Sequence, residues 1–219
     1  LWASMKTKGT FHRFSQYTTQ SRMTGADVAR AILRDANISG VTIEPIRGNL
    51  TDHYDPRTRT LRLSEGVYGS TSMSAAGVAA HEVGHAIQHA EGYAPLKFRS
   101  AWVPVANLGG GISIFVLIAA AMLGGAASVL GSQVALVGVL LFATTTVFTL
   151  VTLPVEFDAS KRALATLNRG GYLTRDELSG AKKVLDAAAM TYVAAFITSA
   201  LTLFYWAMRL GLLGGRRDD

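Results

Sequence analysis

Between Val103 and Val155 the chain runs for 53 residues without one charged side chain. About 20 consecutive apolar residues cross the hydrocarbon core of a bilayer, so this stretch has room for two spans. Gly131-Ser132-Gln133 is the natural interruption, which predicts a tight hairpin of helices near 108–130 and 134–154. A third apolar stretch, Ala187–Leu213, carries no charge until Arg209. Buried core helices of a soluble protein are the bland alternative, and an uncharged run of 53 residues does not suit them. The chain is therefore expected to cross a membrane, and the rest of its sequence has to fit that constraint.

A two-helix hairpin returns the chain to the side it left, so the segment opening at Glu156 shares a membrane face with the residues before Trp102. Lys and Arg number 12 in residues 1–100, 6 in residues 156–189 and 3 from Arg209 onward. The positive-inside rule then places both polar regions in the cytoplasm and the tail Gly214–Asp219 outside. The same reading accounts for the net charge of +6. Basic residues that flank apolar segments point to a bilayer, and no nucleic-acid partner is expected. The absence of cysteine excludes disulfides, thiolate metal sites and cysteine nucleophiles. Asn107, Ser128 and Gln133 are polar but not ionisable, which argues against a transporter or channel. The opening Leu1-Trp2-Ala3-Ser4, ahead of Lys6 and Lys8, looks like the end of a preceding hydrophobic segment. Gly109-Gly110-Gly111 and Gly124-Gly125 allow close helix packing, within one chain or in a homo-oligomer.

The first hundred residues are polar and mixed. Thr24 is placed to cap a helix whose apolar residues Val28, Ala29, Ile32 and Leu33 recur at helical spacing. Val41-Thr42-Ile43-Glu44-Pro45 reads as a short strand. Leu50–Tyr54 and Thr60–Leu63 bracket a Pro-containing turn and read as a hairpin. A helix over about 73–90 follows, and in it lies His81-Glu82-Val83-Gly84-His85. Positions i and i+4 share one helix face, so both imidazoles can reach a single ion. This H-E-x-x-H pattern is the one in which two histidines hold zinc and the glutamate acts as general base on a water at the metal.

A catalytic zinc takes three protein ligands and leaves a fourth position open. His89 continues the histidine face, but it stands about 12 Å along the axis from His81 and suits a supporting or surface place. Glu156 is the best third ligand. A carboxylate at the end of an apolar span is costly without a partner, and a metal would supply one. Its bland alternative is a carboxylate that reaches water or pairs with Arg162. Asp158 is the rival ligand, or a residue that orients a histidine. Glu91 follows the helix too closely to fold back. His53, Tyr54 and Asp55, with Asp52 beside them, sit on the hairpin and could face the metal or a substrate. Tyr54, Tyr93, Tyr172, Tyr192 and His53 are all potential oxyanion donors, and nothing in the sequence chooses among them.

Taken together, these segments resemble the YugP-like family of bacterial membrane zinc metallopeptidases. The resemblance rests on Leu50–Pro56, Leu61–Tyr68, His81–His89, Val151–Phe157, Gly180–Leu185 and the Arg216-Arg217-Asp218-Asp219 ending, and so covers nearly the whole chain. It implies an α+β, mostly helical fold: a small cytoplasmic zincin-like domain with a short β-hairpin, packed on a multi-pass transmembrane bundle with one further N-terminal span. The layout expected is a soluble region over 1–101, a membrane hairpin over 102–155, membrane-proximal helices over 156–186, a third span over 187–213 and a tail over 214–219. The implied activity is zinc endopeptidase action at the bacterial cytoplasmic membrane. One Zn2+ per chain would be held by His81, His85 and Glu156, with Glu82 catalytic. Membrane or membrane-proximal proteins would be cut, with a regulatory partner left open. More distantly the site looks like that of the gluzincins, which commonly carry an Asp four residues after the ligand Glu; here Ser160 stands in that place. A zinc-stabilised scaffold without activity is the competing class, and Glu82 argues against it, because a purely structural ion has no use for a base.

Overall fold

The computed structural model describes residues 2–209; the end of the third span at 210–213 and the tail at 214–219 lie outside the described residues. Helices dominate. In chain order the elements are α1 (Trp2–Ser15), α2 (Gly25–Asp35), β1 (Thr42–Ile46), β2 (His53–Asp55), β3 (Thr60–Ser64), α3 (Glu65–Tyr68), α4 (Met73–Ala90), α5 (Ala94–Met122), α6 (Val129–Arg169) and α7 (Arg175–Arg209). They fall into two units. Residues up to Lys97 group with Pro154–Thr191, and Phe98–Leu153 groups with the chain from Tyr192 onward.

The first unit is built around α4. Ser72 starts this helix by accepting a hydrogen bond from the backbone N–H of Ala75, and 13 of its 18 residues are buried. A helix buried on so many sides needs small residues where its neighbours come close. Gly84 and Gly77 meet that need. A Cβ on Gly84 would stand 2.6 Å from the carbonyl oxygen of Ala159 in α6, and one on Gly77 would stand 3.2 Å from Cβ of Ala181 in α7. On another side lies α2, started by a capping box in which Thr24 accepts from the N–H of Asp27 while Asp27 accepts from that of Thr24. Its Val28, Ala29, Ile32 and Leu33 are all buried, as their spacing predicts. They join Leu61, Leu63, Val83, Leu167 and Leu185 in one core.

The expected strand and hairpin both form, and they join one sheet in the order β1-β3-β2. The hairpin pair is antiparallel, with Tyr54 opposite Leu61. β1 runs parallel to β3, with Ile43 opposite Leu61. β2 is thus an edge strand, beside α4. The helix α1 has no counterpart in the sequence reading. It docks through buried Ala3 and Phe14, and Thr7 donates to the carbonyl of Ala187 in α7 at 2.8 Å.

In the second unit the helical hairpin turns earlier than its sequence suggested. The break is at Leu123–Ser128, around a short 3-10 turn at Gly125–Ala127, and Gly131-Ser132-Gln133 lies inside α6. The reason is local backbone chemistry. Gly124 and Gly125 adopt φ of 92° and 54°, a region that costs an L side chain energy, and Ser128 then accepts from the N–H of Gly131 to start the next helix. Gly131 is needed for a different purpose, because a Cβ there would stand 2.5 Å from the carbonyl oxygen of Gly125. Helix α5 also begins well before residue 108, at Ala94, and carries Pro104 in its interior. Likewise α6 continues through Pro154 without a break. Helices α5, α6 and α7 are each long and apolar enough to cross a membrane, and only 28%, 11% and 17% of their most apolar windows is covered by the rest of the chain.

Candidate metal centre

All members of the candidate centre belong to the first unit. The i, i+4 spacing on α4 turns His81 and His85 to one side, with ring centroids 4.9 Å apart. α6 passes that side at Gly84 and brings Glu156 in. One oxygen of Glu156, Oε2, lies 3.2 Å from Nε2 of His81 and 3.7 Å from Nε2 of His85. Among the described residues this is the group of three whose ligand atoms lie within 4.8 Å of one another. Zinc bonds of 2.0–2.1 Å at tetrahedral angles separate two ligand atoms by about 3.3 Å, close to the contacts seen. Three lone-pair donors at such range repel unless a proton or a cation lies between them. Two imidazoles and a carboxylate are the donor set of a catalytic zinc, with a fourth position left open.

The rings are held from behind. Nδ1 of His81 faces the hydroxyl of Ser160 at 3.1 Å, and Nδ1 of His85 faces Oε1 of Gln88 at 3.0 Å. When Nδ1–H donates to these oxygens, Nε2 keeps its lone pair for the metal. Gln88 can offer that oxygen because its NH2 group is committed elsewhere. Nε2 donates to the carbonyl of Val155 and to Asp158, both at 2.8 Å. Asp158 also accepts from Arg162, and Arg162 from there reaches Glu91 at 2.6 Å. Asp158 therefore acts on His85 through Gln88 and is not in the three-residue cluster. Gln88, fully buried on α4, is the residue that sequence reasoning missed. Its signal was there to read: a lone amide one turn beyond His85 in an otherwise Ala-rich, apolar face.

Glu82 is buried at 8% exposure. Burial pushes its pKa above the ordinary carboxylate range; His81 and His85 pull it down, while the charges of Glu156 and Asp52 reinforce the rise. At His85, burial opposes the charged ring, but the hydrogen bond and charge of Glu156 outweigh it and raise the pKa. Asp52 is also raised by burial, with hydrogen bonds from the N–H and hydroxyl of Ser64 working against the shift.

The other candidates are not members of the three-residue cluster among the described residues. His53 is exposed, with Nδ1 2.9 Å from the carbonyl of Thr51. Asp55 accepts from the N–H of Arg57 and closes the hairpin turn. The Tyr54 hydroxyl meets Nδ1 of His89 at 2.9 Å. Tyr172 bonds to Asp35, and Tyr93 lies under the guanidinium of Arg162.

Loss of the Ser160 hydroxyl leaves the His81 ring free to turn. Ser160→Ala is expected to weaken zinc affinity about 10- to 100-fold while the protein stays folded, measured by competition with a chromophoric chelator. Wild-type affinity in the variant would show that the hydroxyl does not set the ring.

Comparison with known proteins agrees with this chemistry. A family model described as "Putative neutral zinc metallopeptidase" matches residues 1–211. The chain is 44% identical over 218 residues to "Putative membrane protease YugP" of Bacillus subtilis (strain 168), covering 100% of this chain and 93% of that relative. No solved structure matches it.

Proposed function

Because the chain belongs to the "Putative neutral zinc metallopeptidase" family, we propose that it is a zinc-dependent membrane endopeptidase cutting membrane or membrane-proximal proteins. His81, His85 and Glu156 hold one Zn2+ in the manner of the gluzincins, and Glu82 is the general base. The observation that carries this reading is the convergence of two Nε2 atoms and one carboxylate oxygen beside a buried glutamate. Zinc, when bound, supplies a Lewis acid and lowers the pKa of water at its open position.

The chain's own residues do the rest. Glu82 takes the proton of the attacking water on its carboxylate and delivers it to the leaving amine. Ser160 and Gln88 fix the two rings so that neither has to reorient during the reaction. The edge strand β2, unpaired on its outer side within the sheet, offers main-chain hydrogen bonds to an extended substrate. Only three residues separate α4 from α5, which keeps the histidine helix close in sequence to a helix long enough to span a bilayer. That proximity, and the printed name of the relative, favour substrates at a membrane. The Lys and Arg distribution favours the cytoplasmic face of the bacterial inner membrane. A zinc-stabilised scaffold is disfavoured, because a structural site closes with a fourth protein ligand and the cluster among the described residues has three.

The test is hydrolysis of an unfolded protein by the purified chain in detergent. Activity is expected to vanish on chelation and to return with about one equivalent of zinc. Zinc bound at one per chain with no cleavage of any substrate would favour the scaffold.

A further inference from the structure

A cavity of about 340 Å3 opens one turn beyond the metal centre, where the end of α4 meets the hairpin turn and the end of α2. Its polar lining is Tyr54, Arg59, His89, Asn37 and Ser39, and no carboxylate lines it. Other arginines of this hairpin are neutralised: Arg57 pairs with Asp55, and Arg62 with Glu44 and Asp55. Among the described residues no carboxylate lies within ion-pair distance of Arg59. Its backbone adopts φ of 51°, and its carbonyl accepts from the N–H of Thr42 at 3.1 Å. A bulky residue held in the left-handed region is a costly choice for a turn that Gly or Asn would fill more easily. The Tyr54–His89 hydrogen bond forms part of the polar lining and leaves Nε2 of His89 without a hydrogen bond among the described residues.

We infer that this cavity is a substrate subsite for a carboxylate, with Arg59 as the pairing cation and His89 and Tyr54 as the polar wall that positions it. The inference rests on the peptidase reading above and adds a specificity to it. His89 stands about 6 Å along α4 from His85 and about 12 Å from His81, which sets it about 9 Å from the middle of the histidine pair. An extended chain on β2 advances about 3.3 Å per residue, which puts the carboxylate two or three residues from the cut bond. Its source is either an acidic side chain or a free C-terminus.

The test uses the zinc-loaded full chain in detergent and neutral fluorogenic peptides with amidated ends. A single Glu or its Gln counterpart is scanned over the three positions on each side of the cut bond. At one position two or three residues away, Glu is expected to raise kcat/KM about five- to tenfold over Gln, less at high salt. The Glu-to-Gln ratio falls to about one in Arg59→Gln and recovers in part in Arg59→Lys. Taking the ratio within each variant cancels any loss of folded protein. A gain that instead follows a free rather than amidated C-terminus, and is lost in Arg59→Gln, assigns the subsite to the chain end. An unchanged ratio in Arg59→Gln, or no preference at any position or terminus, overturns the subsite while zinc-dependent cutting of the Gln peptides upholds the peptidase. Should no peptide be cut, the peptidase reading is what fails. The same ratio measured as binding, by anisotropy of labelled peptides, then decides the subsite.

Discussion

Glu82→Gln is expected to lower zinc-dependent hydrolysis by a factor of about 10³ or more while zinc content stays near one ion per chain. The amide has nearly the shape of the carboxylate, so the packing around a side chain exposed by only 8% is preserved. What it lacks is a basic oxygen. Glu82 lies close to the negative charges of Glu156 and Asp52, and burial already works against its ionised form. Removing that charge should leave thermal stability unchanged or raise it, because burying a carboxylate near other negative charges is a cost to the fold. The combination is diagnostic: activity lost, metal kept, fold kept. If the variant retained more than a tenth of wild-type activity, another base would have to be found. If it lost zinc as well, Glu82 would belong to the ligand set.

Gly84→Val is expected to act on the same centre by a different route. The first carbon added at Gly84 would stand 2.6 Å from the carbonyl oxygen of Ala159 and 3.2 Å from its Cα, contacts with backbone that no rotamer can relieve. α4 and α6 must separate, and overpacking of this kind costs about 1–3 kcal/mol or more. Glu156 and Ser160 lie three residues before and one residue after Ala159, so both recede from the histidines as the helices part. Thermal unfolding should fall by several degrees, and zinc affinity should fall more steeply than in Ser160→Ala. Gly66→Ala is the control, since nothing lies within 4 Å of a Cβ there, and it should be close to neutral. Equal zinc affinity in Gly84→Val and wild type would show that the helix approach does not hold the site together.

Several features could be read locally. Thr24 caps α2 because a Thr at the N-cap and an Asp three residues later satisfy each other within one turn. Helix α4 runs from Met73 to Ala90, close to the boundaries its composition suggested. The turn between α5 and α6 was harder. Two glycine-containing breaks stood within ten residues, and the choice depended on which glycines take positive φ. Gly124 and Gly125 do so, whereas Gly131 supplies close approach. The docking of α1 was not legible, because its anchors, Ala3, Thr7 and Phe14, carry no pattern that distinguishes them from surface residues until α7 is beside them.

Residue order alone makes three segments long and apolar enough to cross a bilayer, since span length depends only on local composition. It also puts His81 and His85 on one face, since 3.6 residues per turn permits nothing else in a helix. Which groups meet those histidines was decided only in the tertiary structure. Glu156, Asp158 and Ser160 lie within five residues of one another, and each is chemically able to approach a metal or an imidazole. Their roles follow from the way α6 crosses α4 at Gly84: Glu156 faces the two Nε2 atoms, Ser160 faces Nδ1 of His81, and Asp158 is directed to Gln88. That crossing depends on the absence of a side chain at residue 84 and on contacts some 75 residues apart in the chain, a separation over which no local pattern carries information.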